Sequence, residues 1–142
     1  MTAKIIKLFL RLGIGVGFLS AVADRLGFWP SEISAWGNWD NFLAYTSLIN
    51  PIFPKSTIPT IGLLATAAEV IFGLALIIGF KTELIAKLSA YLMLAFALAI
   101  TASTGIKGAL DYSVFAASGA AFALSLMSDK YLELDLLMKR SQ

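Results

Sequence analysis

Apolar residues along this chain gather into four long blocks, each longer than a strand or a surface helix needs. A helix rises about 1.5 Å per residue and the hydrocarbon core of a bilayer is about 30 Å thick, so about 20 mainly apolar residues cross it. The first block, residues 5–27, carries Arg11 within it and Asp24 and Arg25 near its end. The second, 58–80, carries Glu69, and the third, 84–106, is interrupted only by Lys87 near its start. The fourth, 112–128, has no charge. The pattern predicts an all-α fold: a single membrane domain over 1–142, built as an integral membrane four-helix transmembrane bundle. A long aromatic-rich outer loop, residues 28–57, joins the first two helices.

The punctuation between blocks agrees with these limits. Pro59 falls in the first turn of the second helix, where its missing N–H does no harm, and Ser56 or Thr57 can cap it. Gly79 is placed to end that helix and Thr82 to start the next, which makes 79–83 a tight helical hairpin. Thr104-Gly105-Ile106-Lys107-Gly108 breaks the third helix from the fourth, with Asp111 as the expected N-cap.

The loop is not ordinary linker. It concentrates Trp29, Trp36, Trp39, Phe42, Tyr45 and Phe53, and Pro30, Pro51 and Pro54 divide it. Asn38 can cap a short helix in which Trp39, Phe42, Leu43, Thr46 and Ile49 share one side. Tryptophan and tyrosine favour the membrane–water boundary, so the first reading is an interfacial anchor. The sharper alternative is an aromatic lid over a cavity between the helices.

Composition narrows the class. Of 142 residues, 58% are hydrophobic and only 14% charged, against about a quarter charged in a soluble domain. Disorder is excluded by that balance and by the aromatic content. A net charge of +2, scattered along the chain, excludes a nucleic-acid surface. There is no Cys and no His, which removes disulfides, thiol nucleophiles, histidine bases and the usual zinc and haem ligands. No resident metal, cofactor or catalytic residue is therefore expected, and the balance leans away from an enzyme without deciding it.

Basic residues set the orientation. With the N-terminus cytoplasmic, Lys4, Lys7, Arg11, Lys81, Lys87, Lys130, Lys139 and Arg140 lie inside and Arg25, Lys55 and Lys107 outside, 8 against 3 of the 11. Both termini are expected in the cytoplasm. A rival outline makes the opening a signal peptide, with Ala21-Val22-Ala23 as its cleavage site. Arg11 and glycines 13, 15 and 17 weaken that apolar stretch, and an uncleaved first span is the better reading.

Glu69 lies at the midpoint of its block, where a carboxylate must be protonated, paired or facing water. Gly62, Ala65, Thr66, Gly73 and Leu76 share its face, so it is expected to point into the bundle. Arg11 is the expected partner. It lies about 9 Å from the cytoplasmic end and Glu69 about 16 Å, a gap a guanidinium arm can span. Two readings stand: an ion pair that fixes helix register, or a polar site for a proton, an anion or a quinone-like head group. Asp24, Arg25, Asp111 and Tyr112 are further polar groups expected near the outer boundary. Asp111, Ser118 and Ser125 form a stripe at seven-residue spacing that reads as packing, as do Gly13, Gly17 and Ser20. Asp129, Glu133 and Asp135, alternating with Lys130 and Leu134, read as a solvated helical end.

Leu10-Arg11-Leu12-Gly13-Ile14-Gly15, followed by Gly17-Phe18-Leu19, resembles the opening helix of the DoxX family. Ala68-Glu69-Val70-Ile71-Phe72-Gly73, with Ile78-Gly79 and then Lys81-Thr82, is similar to that family's second helix and turn. The resemblance implies a small four-helix protein of the bacterial inner membrane, with Arg11 and Glu69 as the positions carried over. The family is named for a subunit of a thiosulfate:quinone oxidoreductase, and some members are associated with membrane redox and oxidative-stress complexes. This chain departs from it in two ways. It reads Thr101-Ala102-Ser103-Thr104 where many relatives have a histidine near the end of the third span, and its aromatic loop is longer.

The function these features imply is a noncatalytic subunit or accessory protein of a redox- or quinone-linked complex, electron chemistry belonging to a partner. The alternatives are a small transporter or channel using Glu69, and a purely structural membrane role. The partners called for are the lipid bilayer, a membrane redox protein and further copies of the chain, with quinone or lipid as the contact to test.

Overall fold

The computed structural model describes residues 2–136. Lys139 and Arg140, counted above for orientation, lie outside them. Six α-helices lie wholly within the described residues: α1 Thr2–Arg25, α2 Trp39–Ile49, α3 Ile58–Ile78, α4 Thr82–Thr104, α5 Ile106–Asp111 and α6 Val114–Ser125, with a 3-10 turn over Lys55–Thr57 ahead of α3. The described residues contain no strand. Three helices are long and apolar enough to cross a membrane: α1, α3 with its leading turn, and α4.

The boundaries have local causes. Asn38 accepts the Asn41 N–H and caps α2, and Pro59 sits in the first turn of α3. Gly79 ends α3 in the left-handed region at φ 74°, a conformation glycine adopts without steric cost. A side chain there would also collide with Arg11 and Glu133.

The expected fourth span is the main departure. Residues 106–125 divide into α5 and α6, broken at Tyr112 and Ser113, with Ser113 at φ 56°. The twelve residues of α6 cover about 18 Å, well short of a bilayer's hydrocarbon. Asp111 is not the N-cap of α6. It closes α5, where its exposed carboxylate pairs with Lys107 one turn earlier at 2.5 Å. Asp111 therefore leaves the serine stripe, and Ser118 alone bridges helices, donating to the Ala90 carbonyl of α4 at 2.8 Å.

α1 packs along α3 and α4 along α6, while α3–α4 and α1–α6 contacts close the circuit and α2 lies against α3 and α4. Gly15 faces Gly73, which sets the antiparallel register of α1 on α3. Polarity is inverted relative to a water-soluble fold. Lys7, Arg11, Asp24, Arg25, Glu69, Ser89 and Ser118 are buried, whereas Ile5, Phe9, Val16, Leu63, Ile71 and Leu98 are exposed. An apolar outer surface around a partly polar interior is what hydrocarbon solvent favours.

Candidate functional site

The register explains which arginine reaches Glu69. Gly15 level with Gly73 places Arg11 level with Ile77 and Arg25 level with Leu63, counting one residue up α1 for each residue down α3. Glu69 then lies about 12 Å along the axis from Arg11 but about 9 Å from Arg25. Every helical Cα–Cβ bond leans toward the helix N-terminus. On antiparallel helices Arg25 and Glu69 lean toward each other, while Arg11 and Glu69 lean apart. Arg25 Nη1 accordingly lies 2.5 Å from Glu69 Oε2 and donates also to Thr66 Oγ1 at 2.8 Å.

The expected Arg11–Glu69 pair is thus replaced by Arg25–Glu69. Arg11 does other work. It donates from Nε to the Leu76 carbonyl (2.9 Å) and from Nη2 to the Ile77 carbonyl (3.0 Å), the last turn of α3. The Leu76 carbonyl also accepts the Gly79 N–H at 3.3 Å, and the guanidinium adds donors at a helix end, where intrahelical partners run out. Arg11 Nη1 donates to the carbonyls of Tyr131 (2.9 Å) and Leu132 (3.1 Å), in the segment that follows α6.

Aromatic rings cover the Arg25–Glu69 pair. The Arg25 guanidinium carbon lies 4.0 Å from the Phe42 ring centre and 5.2 Å from that of Trp36. Guanidinium stacks well on such faces because it is planar and weakly hydrated. Trp36 meets Phe42 edge-on at 5.4 Å, and Tyr45 and Trp39 pack beside them at 5.9 Å from Trp36 and 5.3 Å from Phe42. Gly62 makes the approach of α2 to α3 feasible. A methyl group there would lie 2.7 Å from Leu43 and 3.2 Å from Phe42. Burial, then the neighbouring Tyr112, pushes the Tyr45 hydroxyl above its usual range.

Asp24 fixes the ring of Trp36 over the pair. Its carboxylate accepts the N–H groups of Ala35 (2.9 Å), Trp36 (3.2 Å) and Gly37 (3.3 Å) and the Ser34 hydroxyl. One buried carboxylate thereby organises four consecutive loop residues, with Gly37 at φ 72° closing the turn. Trp29 lies outside this group, exposed, its indole N–H on the Ser20 carbonyl at 3.2 Å. Asp111 and Tyr112 are exposed and do not join it.

The resulting site is a buried ion pair, Arg25 at 2% and Glu69 at 3% exposure, roofed by aromatic faces. Arg25 Nε is buried with no acceptor among the described residues. An orphaned charged donor of this kind costs free energy unless something accepts from it. With Nη1 engaged by Glu69 and Thr66, Arg25 Nε is the donor left over for a further acceptor beside the pair. No potential metal-binding group of three or more carboxylates occurs among the described residues.

Reading alone missed Asp24 as an organiser and Glu133 as a buried group. The signal for the first was its place one residue before Arg25, at the start of a loop rich in small residues. The expected solvated tail is corrected: Glu133 is buried and ion-paired with Lys7 at 2.9 Å. Compared with family models, curated proteins and solved structures, the chain gives no match.

Proposed function

We propose that this chain is a DoxX-type protein of the bacterial inner membrane, acting as a noncatalytic subunit or accessory protein of a redox- or quinone-linked complex. The carrying observation is the Arg25–Glu69 pair beneath Trp36 and Phe42, with the Arg25 Nε free of an acceptor among the described residues. A quinone head group is planar and carries two carbonyl oxygens. It suits aromatic faces, an N–H donor and a nearby carboxylate that can exchange a proton. Electron transfer itself is assigned to a partner protein.

In this reading four segments cross the bilayer, α6 being the fourth and shortest. Its packing on α4 and a locally thinned bilayer compensate for its length. Among the described residues Lys4, Lys7, Arg11, Lys81, Lys87 and Lys130 fall at one end of the helices and Arg25, Lys55 and Lys107 at the other, six against three. That bias supports a cytoplasmic Arg11 end and an outer aromatic loop. Phe28, Trp29, Ile33, Ile52 and Phe53, all exposed, then rest at the outer interface.

The test is purification in mild detergent, followed by identification of bound proteins and extraction of bound quinone. A cofactor-bearing partner, together with quinone that is lost in Glu69→Gln and Arg25→Gln, supports the reading. A single pure species with neither overturns it. The buried mid-depth carboxylate also fits a small transporter, and proton flux in liposomes that disappears in Glu69→Gln would favour that role instead.

A further inference from the structure

At the end of the helices opposite Arg25, three cations converge on one carboxylate. Glu133 Oε1 lies 2.9 Å from Lys7 Nζ and 3.8 Å from Arg11 Nη1, and Oε2 lies 3.4 Å from Lys130 Nζ. Lys7 and Arg11 are 0% exposed and Glu133 4%. Lys7 also faces Glu83 at 3.5 Å, and Lys130 holds Glu83 at 2.7 Å and Asp135 at 3.1 Å.

The segment that delivers Glu133 is fastened in an unusual way. Several of its large apolar side chains point outward: Leu126, Tyr131 and Leu132 are exposed, while Met127 packs on the core. Its charges and carbonyls point inward. Leu132 is held at φ 47°, a left-handed conformation that strains a side chain of this kind. Neither Lys7 Nζ nor either Glu133 oxygen makes a well-formed hydrogen bond among the described residues, so these groups meet through charge alone. A segment held largely by polar contacts, with only Met127 packed on the core and with local backbone strain, belongs to the less stable parts of a fold.

We propose that Lys7 and Arg11 form an anion site in which Glu133 is a built-in, displaceable occupant, and that the exchanging ligand is a phosphate-bearing anion. Displacing residues 131–133 together releases the Lys7 ammonium from Glu133 and Arg11 Nη1 from the Tyr131 and Leu132 carbonyls, while Nε and Nη2 of Arg11 stay on the α3 carbonyls and keep the site in place. The freed donors form the fork-and-point arrangement that phosphate oxygens accept. The location matches a lipid head group. On the same turns of α1, Ile5, Ile6, Phe9 and Leu12 expose an apolar face, so the site sits at the rim of the apolar belt.

Two measurements on the full chain test this. The sequence has no cysteine, so a single nitroxide at Ser128→Cys, an exposed position, reports motion of the segment. The label should be immobile in phosphatidylcholine nanodiscs and become mobile when phosphatidylglycerol replaces half of the lipid. If inorganic phosphate in phosphatidylcholine does the same, the ligand is a soluble phosphate; if phosphatidylglycerol alone does so, it is a head group. No mobilisation by either overturns the proposal. In native mass spectrometry, Glu133→Gln should retain phosphatidylglycerol about tenfold more tightly than wild type, and adding Lys7→Gln should abolish the gain. Equal retention by wild type and Glu133→Gln would make Glu133 a permanent structural ion and end the proposal. Should Glu133→Gln fail to fold, the labelled protein with its native Glu133 still decides.

Discussion

Gly15 and Gly73 hold α1 and α3 at backbone contact. A Cβ on the first would lie 2.9 Å from the carbonyl oxygen of the second, and one on the second 3.0 Å from that of the first. The first distance is shorter than real side chains show and the second is at the tight limit, and backbone cannot give way as a flexible side chain does. Gly15→Ala and Gly73→Ala should each lower stability by about 1–3 kcal/mol. Gly13→Ala and Gly17→Ala, where an added methyl meets nothing within 4 Å, should leave it unchanged. Thermal unfolding in detergent compares the four.

The Arg25–Glu69 contact predicts a specific coupling. Arg25→Gln and Glu69→Gln should be non-additive, with an interaction energy of about 1–3 kcal/mol, because each single change leaves the other charge buried without its partner. Arg11→Gln and Glu69→Gln should add. Additivity in the first cycle and coupling in the second would restore the pairing that depth along the helices suggests.

Arg11 should not tolerate lysine. Its guanidinium serves four carbonyls, two on α3 and two in the segment after α6. An ammonium keeps the charge but cannot present that planar fork. Arg11→Lys should cost about 2 kcal/mol or more. The loss should appear both in thermal unfolding and in faster amide exchange of residues 131–136.

Asp24→Asn should free the loop without breaking the ion pair. The amide is a weaker acceptor for three backbone N–H groups and the Ser34 hydroxyl. Trp36 fluorescence, read with Trp29 and Trp39 replaced by phenylalanine, should become more accessible to a water-soluble quencher. Glu69→Gln should leave that accessibility nearly unchanged.

Attachment of the segment after α6 should depend on pH at both extremes. Burial pushes the Asp135 carboxyl up, but hydrogen bonds from the Lys81 N–H, the Lys130 ammonium and the Thr82 N–H outweigh it and hold it below its usual range. A carboxyl lowered on folding contributes stability that is present above about pH 4 and lost as pH falls through its folded value. Lys130 loses to burial but gains more from Glu83, Asp135 and Glu133, which raises it above its usual range. Its contribution is complete below about pH 10 and is lost as pH rises through the folded value. Lys7, Arg11, Lys81, Glu83 and Glu133 share this surface. Proteolysis of residues 126–136 should therefore be slowest on a plateau between these limits and faster on both sides. A flat profile would show that neither group holds the segment.

The long helices were legible because a bilayer demands about 20 apolar residues and Pro59 and Gly79 mark their ends. The short helix after Asn38 was legible from the same kind of signal, a cap followed by apolar residues on one side. The partner of Glu69 was not. Depth along two helices treats side chains as perpendicular spokes, whereas their lean toward each N-terminus decides which pairs meet. Glu133 was illegible for another reason. Its sequence neighbours alternate charge as an exposed helix does, and only the fold brings Lys7 and Arg11, more than a hundred positions earlier, to meet it. The break at Tyr112 and Ser113 has no glycine or proline to announce it.

Asp135 accepts the N–H groups of Lys81 and Thr82 at 2.7 and 3.3 Å, at the first turn of α4, where Lys81 itself supplies no side-chain cap. The donor and acceptor lie 54 positions apart. At about 5–20 residues per second, the ribosome delivers that carboxylate roughly 3–10 s after the turn it serves. α4 itself is synthesised within that interval, and until Asp135 follows, its opening amides lack this acceptor. The α3–α4 hairpin is thus completed by a residue synthesised well after both of its helices.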